Sequence, residues 1–375
     1  MIGKKLIRMV TVAAAIAVVS CTIEPLLHLR KAVSTMVVLD TKINVDVMWQ
    51  INWTANWQFN WNVTALGPVG YTVPSSMRMH VFTHGPNGEF VSHYTHNFVG
   101  SNAETEIFIG THDLLFHNND SETLLFSQDG DFSNLNCYTR KLANGLKAST
   151  QVLTTRQKAA GMTKAGDEFT EPVNLTPDGL FTLYDKDQAI TDNLDDYELV
   201  GDKYVLRIEG DLNPRTYIYL FQISLLNNED RVVGSAGGAA LTGMSQGVDL
   251  MSEISWESTA SYLMDVYMDK PQNMLGARIL TFGLPGCNAY DAASVAAAPD
   301  GKHYLVLNIT YVNGSNRNIS LDVTDQVREL PTGGVIALEI DVNDFPPDES
   351  AGGGGGFNAL IGGWDEQAGS ATIIN

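Results

Sequence analysis

The sequence predicts an all-β protein made of two β-sandwich domains in tandem, and three observations carry that reading. Apolar side chains occupy every odd position from Ile43 to Val63, a period of two that belongs to β structure. Short alternating segments then recur down the chain between turn dipeptides. The 375 residues are too many for one ordinary sandwich and suit two domains. Hydrophobic residues make up 44% of the chain and charged ones 18%, enough apolar surface to close real cores and to exclude wholesale disorder. With 43 acids against 23 bases the net charge is −20, and no basic stripe offsets it. Such a surface repels a phosphate backbone, so nucleic acid is excluded as a partner.

Residues 1–20 hold Lys4, Lys5 and Arg8 followed by the uncharged run Met9 to Ser20. That run is too short to cross a bilayer of about 30 Å as a helix, and it reads as a signal peptide. It ends Val18-Val19-Ser20-Cys21, which resembles a bacterial lipoprotein signal. Cys21 is then the expected lipidation site, where several acyl chains anchor stably in the outer membrane. Spending Cys21 on lipid leaves Cys137 and Cys287 in an oxidising compartment. A disulfide between them is allowed, although their wide separation in the chain favours two buried thiols.

A single straight strand from 43 to 63 would exceed the usual strand length, so a hairpin about Thr54-Ala55-Asn56 is expected. It sets Trp53 opposite Trp57 and Trp49 opposite Trp61. The row Trp49, Trp53, Trp57 and Trp61 has two readings. It is the buried face of an N-terminal sheet, or it is a platform that stacks on the sugar rings of host or bacterial glycans.

Further strands are expected at Met77–Thr83, Glu89–Phe98, Thr105–Ile109, Thr123–Ser127, Gly179–Tyr184, Tyr204–Glu209, Thr216–Ser224, Ser261–Met268, Tyr304–Tyr311, Asn318–Val323 and Gly334–Val342. Pro86-Asn87-Gly88, Asp129-Gly130, Pro177-Asp178-Gly179 and Asn313-Gly314 punctuate them. The acidic stretch Asp192, Asp195, Asp196 and Glu198 precedes a fresh set of strands and puts the domain boundary near residue 195, giving domains 21–194 and 195–375. Beyond the glycine run Gly352 to Gly356, a loose hinge by composition, the tail offers Phe357, Leu360, Trp364, Ile373 and Ile374 for one or two terminal strands.

Chemistry-bearing motifs are weak. Gly243-Met244-Ser245-Gln246-Gly247 has the spacing of a nucleophile elbow, but small residues precede it and no helix-forming segment follows. Six of the eight histidines, His80, His84, His93, His96, His112 and His117, fall close together. His93 and His96 point to opposite faces of a strand, so surface or loop positions are expected rather than a metal set. Asp129/Asp131 and Asp185/Asp187 lack the distal ligands of a calcium loop and read as solvated turns. The sequence therefore predicts no catalytic residue, no metal and no cofactor.

Several segments carry a family resemblance: Pro74-Ser75-Ser76-Met77, the run Gly110 to Asn119, Ala240 to Ser245, Thr281-Phe282-Gly283, His303–Tyr311 followed by Asp322 to Val327, and the late Trp364. Together with the lipoprotein start they make the chain similar to fimbrillin-superfamily (Mfa-like) lipoproteins of Bacteroidetes, and to a domain family of unknown function within that group. The resemblance implies two transthyretin-like, Greek-key sandwiches and a role in a type V pilus as stalk subunit, tip adhesin or membrane anchor. It also implies partner subunits that join by β-strand addition after a protease cuts behind a basic residue. Arg30, Lys31 and Lys42 match that requirement, Val37, Val38 and Leu39 belong to the strand that would leave, and Phe357–Asn375 is the candidate donor strand. Such a protein sits on the outer membrane or in a surface fimbrium. One departure is that Thr22-Ile23-Glu24-Pro25 supplies a single acid after the cysteine, where surface export in these bacteria resembles a rule favouring several.

Overall fold

The computed structural model describes residues 32–40, 56–128, 135–142, 171–235, 238–347 and 371–373. Cys21, Arg30, Lys31, Lys42, Trp49, Trp53, Asp129, Asp131, Phe357, Leu360, Trp364 and Ile374 lie outside the described residues. The described strands form five sheets, joined by helices of at most six residues. The protein is all-β.

Two sheets make the first sandwich. One has the order β10 (Glu198–Val200), β11 (Lys203–Asp211), β1 (Ala32–Asp40), β4 (Asn102–Phe108). The other has the order β12 (Asn213–Pro214), β9 (Phe181–Ile190), β5 (Gly110–Asn118), β2 (Ser76–His84), β3 (Phe90–Val99). Met77, Met79, Val81, Leu114, Phe116 and Phe181 from the second face Ile107, Leu206 and Ile208 from the first.

The second sandwich pairs a sheet of order β18 (Val266–Asp269), β19 (Met274–Thr281), β13 (Tyr217–Leu226), β22 (Gly334–Asp341), β23 (Ala371–Ile373) with a larger one. The larger sheet has the order β14 (Val232–Gly234), β20 (Tyr304–Tyr311), β15 (Ala239–Ser245), β17 (Thr259–Met264), β8 (Val173–Asn174), with β21 (Asn316–Asp322) also on β20. Strand β13 shows why the chain builds this way. Tyr219, Phe221, Ile223 and Leu225 enter the second core while Ile218 and Leu220 enter the first. A strand buried on both faces must read as a nearly unbroken apolar run, as Tyr217–Leu226 does.

A fifth, three-stranded sheet, β16 (Gly247–Asp249), β7 (Leu135–Thr139), β6 (Leu124–Gln128), straps the two bodies together. Its Leu124, Leu135, Cys137 and Val248 share one core with Phe82 and Leu115 of the first sandwich.

This pairing departs from a boundary at residue 195. Strands β10 and β11 ladder with β1 and β4, and β6, β7 and β8 join strands of the second half. The sheets change hands after Pro214. The acidic run misleads because it marks the solvated approach to an edge hairpin, with Asn193 capping the short turn Leu194–Asp196.

The second arm of the expected hairpin is also absent. Residues 57–62 form no strand; they turn tightly, with the Trp61 amide donating to the Phe59 carbonyl at 2.9 Å, and lead into the helix Val63–Leu66. The apolar period survives because the coil lies flat on the β18–β19–β13 sheet. The Gln58 amide donates to Gln222 Oε1 at 2.7 Å, and Gln222 Nε2 donates back to the Asn56 carbonyl at 2.8 Å. Phe59, 5% exposed, covers Gly276, where an added Cβ would sit 2.5 Å from its ring. Glycine is needed at that close approach.

Candidate assembly interface

The feature most suited to joining another chain is β1. It lies antiparallel to β4, from Ala32 opposite Phe108 to Val38 opposite Asn102. On its other edge it runs parallel to β11, from Thr35 level with Leu206 to Asp40 level with Asp211. Both neighbours are distant in sequence, so hydrogen-bond ladders and burial hold β1 in place and no tight turn does. Thr35 is fully buried at its centre. Strand spacing of about 4.8 Å means that withdrawing β1 would leave β4 and β11 about 10 Å apart, each with a row of unsatisfied backbone groups. An extended peptide of matching pattern satisfies such edges.

The outward face of this slot is acidic. Glu104 and Glu106 on β4 and Glu209 and Asp211 on β11 are exposed. Arg207 sits among them, its Nε 3.2 Å from Glu209 Oε1 and 3.9 Å from Glu198 Oε2.

Of the sequence-predicted sites, β1 contains Val37, Val38 and Leu39, and Lys42 follows it in the chain. From the candidate donor tail, Ile373 is part of β23, where it pairs with Leu338 at the edge of its own sheet. Trp57 and Trp61, offered for glycan stacking, are half-buried. Their rings contact one another at 6.3 Å and Phe59 at 5.7 and 6.3 Å, and Trp61 meets Tyr267 edge-on at 5.4 Å. The Trp61 indole donates to the Gly67 carbonyl at 3.0 Å.

Cys137 and Cys287 are unpaired and buried, so the allowed disulfide does not form. Burial pushes the Cys137 thiol well above its ordinary range. Ser245 is buried at the end of β15, with its hydroxyl 2.8 Å from the carbonyls of Gly247 and Trp256.

The histidines correct the sequence reading most sharply. His80, His112 and His117 are buried strand residues, not surface or loop ones. Register explains the grouping: Phe82 pairs with His93 and Arg78 with His117, so His80, His93 and His117 share the outer face of one sheet. Phe126 of the strap stacks on His117 at 4.2 Å.

The three rings form a directional chain. His117 Nδ1 donates to the Asn118 carbonyl at 2.8 Å, so its Nε2 accepts from His80 Nε2 at 3.0 Å. His80 Nδ1 then accepts from His93 Nε2 at 3.0 Å. The order closes with every ring neutral, and an added proton would set donor against donor. Burial, with the neighbouring rings and Arg78, lowers His80 to about 3, and burial lowers His117 to about 4.

Beside this chain, Asp113 accepts from the Asp187 amide and the Tyr184 hydroxyl at 2.9 Å each, and His84 Nε2 lies 3.0 Å from its Oδ2. Burial alone would raise the Asp113 carboxyl, but these partners outweigh it and hold it below its usual range. Asp185 and Asp187 lie inside β9, at an irregularity in its pairing with β5, and not in a solvated turn.

A search of curated proteins returns no match. Among solved structures, a candidate adhesin of Bacteroides ovatus is 16% identical at a TM-score of 0.49, over 85% of this chain and 91% of that one. The fimbrial anchor protein Mfa2 of Porphyromonas gingivalis is 8% identical at a TM-score of 0.41, over 82% of this chain and 90% of its own. A candidate polysaccharide-binding protein (DUF1812) of Bacteroides thetaiotaomicron is 9% identical at 0.42, over 82% and 91% respectively. The family model described as "Domain of unknown function (DUF5119)" matches residues 54–265, more than half of the sequence, and the chain belongs to that family.

Proposed function

We propose that the chain is a fimbrial subunit or pilus-associated lipoprotein, tethered to the outer membrane through Cys21 or carried into a surface fimbrium, which joins neighbouring subunits by β-strand exchange. The observation that supports this reading is β1: a nine-residue strand held on both edges by remote strands, followed closely by a base. Backbone edges are then the means of association, and side-chain chemistry is not called on. Adhesion follows as the role of such an assembly at the cell surface.

The three candidate cut sites have different consequences. Cleavage after Arg30 or Lys31 removes the lipidated end and keeps β1, whereas cleavage after Lys42 also frees β1. Mass spectrometry of the cell-associated protein's N-terminus tests the proposal. An acylated Cys21 marks an anchor or tethered lipoprotein, and a start at Ile43 marks a subunit whose slot is ready for a partner strand. An uncleaved signal peptide on a protein confined to the cytoplasm would overturn the proposal.

A further inference from the structure

We propose that the end of the first sandwich at which β1 begins rests on the lipid surface, so that a chain tethered through Cys21 stands with its second sandwich directed away from the membrane. The inference rests on the lipoprotein reading and deepens it by naming the part of the fold that meets the bilayer.

Register brings the residues of this end together. Thr35 is level with Leu206, so three residues back along both parallel strands Ala32 is level with Lys203, beside the turn between β10 and β11. That turn carries Val200, and Leu199 pairs across it with Tyr204. Leu199 is 64% exposed and Tyr204 50%, because the turn reaches past the core that buries Leu206 and Ile208. Ala32 also lies opposite Phe108 at the end of β4. Strand β5 then starts at Gly110, opposite Ile190 at the end of β9. His84, which ends β2, pairs with Thr111 on one side and Phe90 on the other, bringing Phe90 and Val91 to the same end. Leu194 lies on the link from β9 to β10. Of the fourteen large apolar side chains exposed among the described residues, this end holds seven. Scattered single apolar residues are ordinary on a surface, whereas half of them gathered at one end mark a contact.

The other end of the sandwich is already used. Strand β11 runs from the turn to Asp211, and the chain continues through Asn213–Pro214 into β13, which enters the second core.

Chain length names the occupant. Ala32 follows Cys21 by eleven residues, a segment that spans at most about 40 Å when fully extended. Acyl chains on Cys21 therefore keep this end close to the bilayer, and the tether makes a weak apolar contact sufficient. Charge narrows the lipid. Asp192, Asp195, Asp196, Glu198 and Asp202 are exposed in the same stretch of chain, so anionic headgroups repel this end and zwitterionic ones do not.

The test couples the mature chain through its Cys21 thiol to a maleimide lipid in phosphatidylcholine vesicles; Cys137 and Cys287 are buried. Coupling supplies the tether whether or not cells acylate Cys21. An absent acyl chain on the cellular protein thus sinks the anchor, and a wrong contact on vesicles sinks the orientation. Leu199→Trp is compared with Val312→Trp, an exposed position just after β20 in the second sandwich. Lipid brominated near the headgroup is expected to remove most of the emission added by Leu199→Trp and none of that added by Val312→Trp. Phosphatidylglycerol in the vesicles is expected to restore the Leu199→Trp emission in low salt and to do so less in high salt. Equal quenching at the two positions, or none at either, overturns the proposal.

Hydrogen exchange reads the same contact without a substitution. Amides of residues 194–204 are expected to slow when the unsubstituted chain is coupled to vesicles, and unchanged rates overturn the proposal. Sedimentation of the uncoupled chain is expected to show a monomer. A dimer that Leu199→Ser dissolves would mean that this end pairs two copies, and would overturn it as well.

Discussion

Lowering the pH from 7.5 to 5.0 should weaken this protein through its histidine chain, and the structure sets the size of the effect. His80 and His117 ordinarily titrate at 6.5, and the fold lowers them to about 3 and about 4. Both are bases with depressed values, so the folded state keeps them neutral while the unfolded chain takes up protons near 6.5. Stability is therefore full above 6.5 and declines as pH falls, until the folded rings titrate in turn. At pH 5.0, about 1.5 units below the unfolded value, each ring contributes a loss of about 2 kcal/mol, or about 4 kcal/mol for the two. The window stays above the range in which Asp113, Asp120 and Asp178, all held low, would add their own acid loss. Urea denaturation followed by tryptophan fluorescence at the two pH values measures the difference. The control is His80→Gln with His117→Gln, which costs stability at both pH values but should flatten the dependence between them. A native protein whose stability differs by less than about 1 kcal/mol, or a double variant that keeps the native slope, would refute the neutral-chain assignment.

Three other outcomes follow from the packing. Phe59→Ala should cost about 3 kcal/mol, and Gly276→Ala, destabilising on its own, should become nearly silent in the Phe59→Ala background because its clash partner is gone; a urea double-mutant cycle reads both. Asp113→Asn should cost about 1–3 kcal/mol, since an amide cannot accept from the Asp187 amide, Tyr184 and His84 together; thermal unfolding at pH 7 would show it. Cys137 and Cys287 should resist Ellman's reagent in the native protein and both react in denaturant; rapid native labelling of Cys137 would contradict its burial.

What the sequence disclosed depended on how many faces of a strand are buried. Tyr304–Tyr311 was readable to the residue, and Gly334–Asp341 nearly so, because apolar runs bounded by turns leave few alternatives. Strand β5 was missed because His112, Asp113 and His117 look solvent-facing; the strap covers the face that carries Asp113 and His117, where Phe126 stacks on His117, while His112 lies on the opposite, inner face with its ring nitrogens on Thr83 Oγ1 and the Phe108 carbonyl. Strand β15 was missed for a different reason. Its Ala-Ala-Leu-Thr-Gly-Met-Ser run is wholly buried yet composed of small and polar residues. Gly243, at φ +77°, interrupts it where a Cβ would meet the Lys302 carbonyl at 2.4 Å. The interface was half visible: Val37, Val38 and Leu39 marked a strand, but its neighbours and the carboxylates beside it depend on register across distant segments, which no local pattern encodes.

The three-stranded strap has a consequence for how this molecule can be divided. Its β6 and β7 leave the first body to meet β16, and β8 joins the second body before the chain returns as β9. Neither half is an uninterrupted stretch of polypeptide, so no single truncation point yields a closed piece. A fragment starting at residue 195 would lack β6, β7 and β8, exposing Val248, Leu250 and Tyr262 to water. Melting should then proceed as one event, with both bodies lost together, and a load applied to one end would reach the other through shared cores without stretching a linker between them.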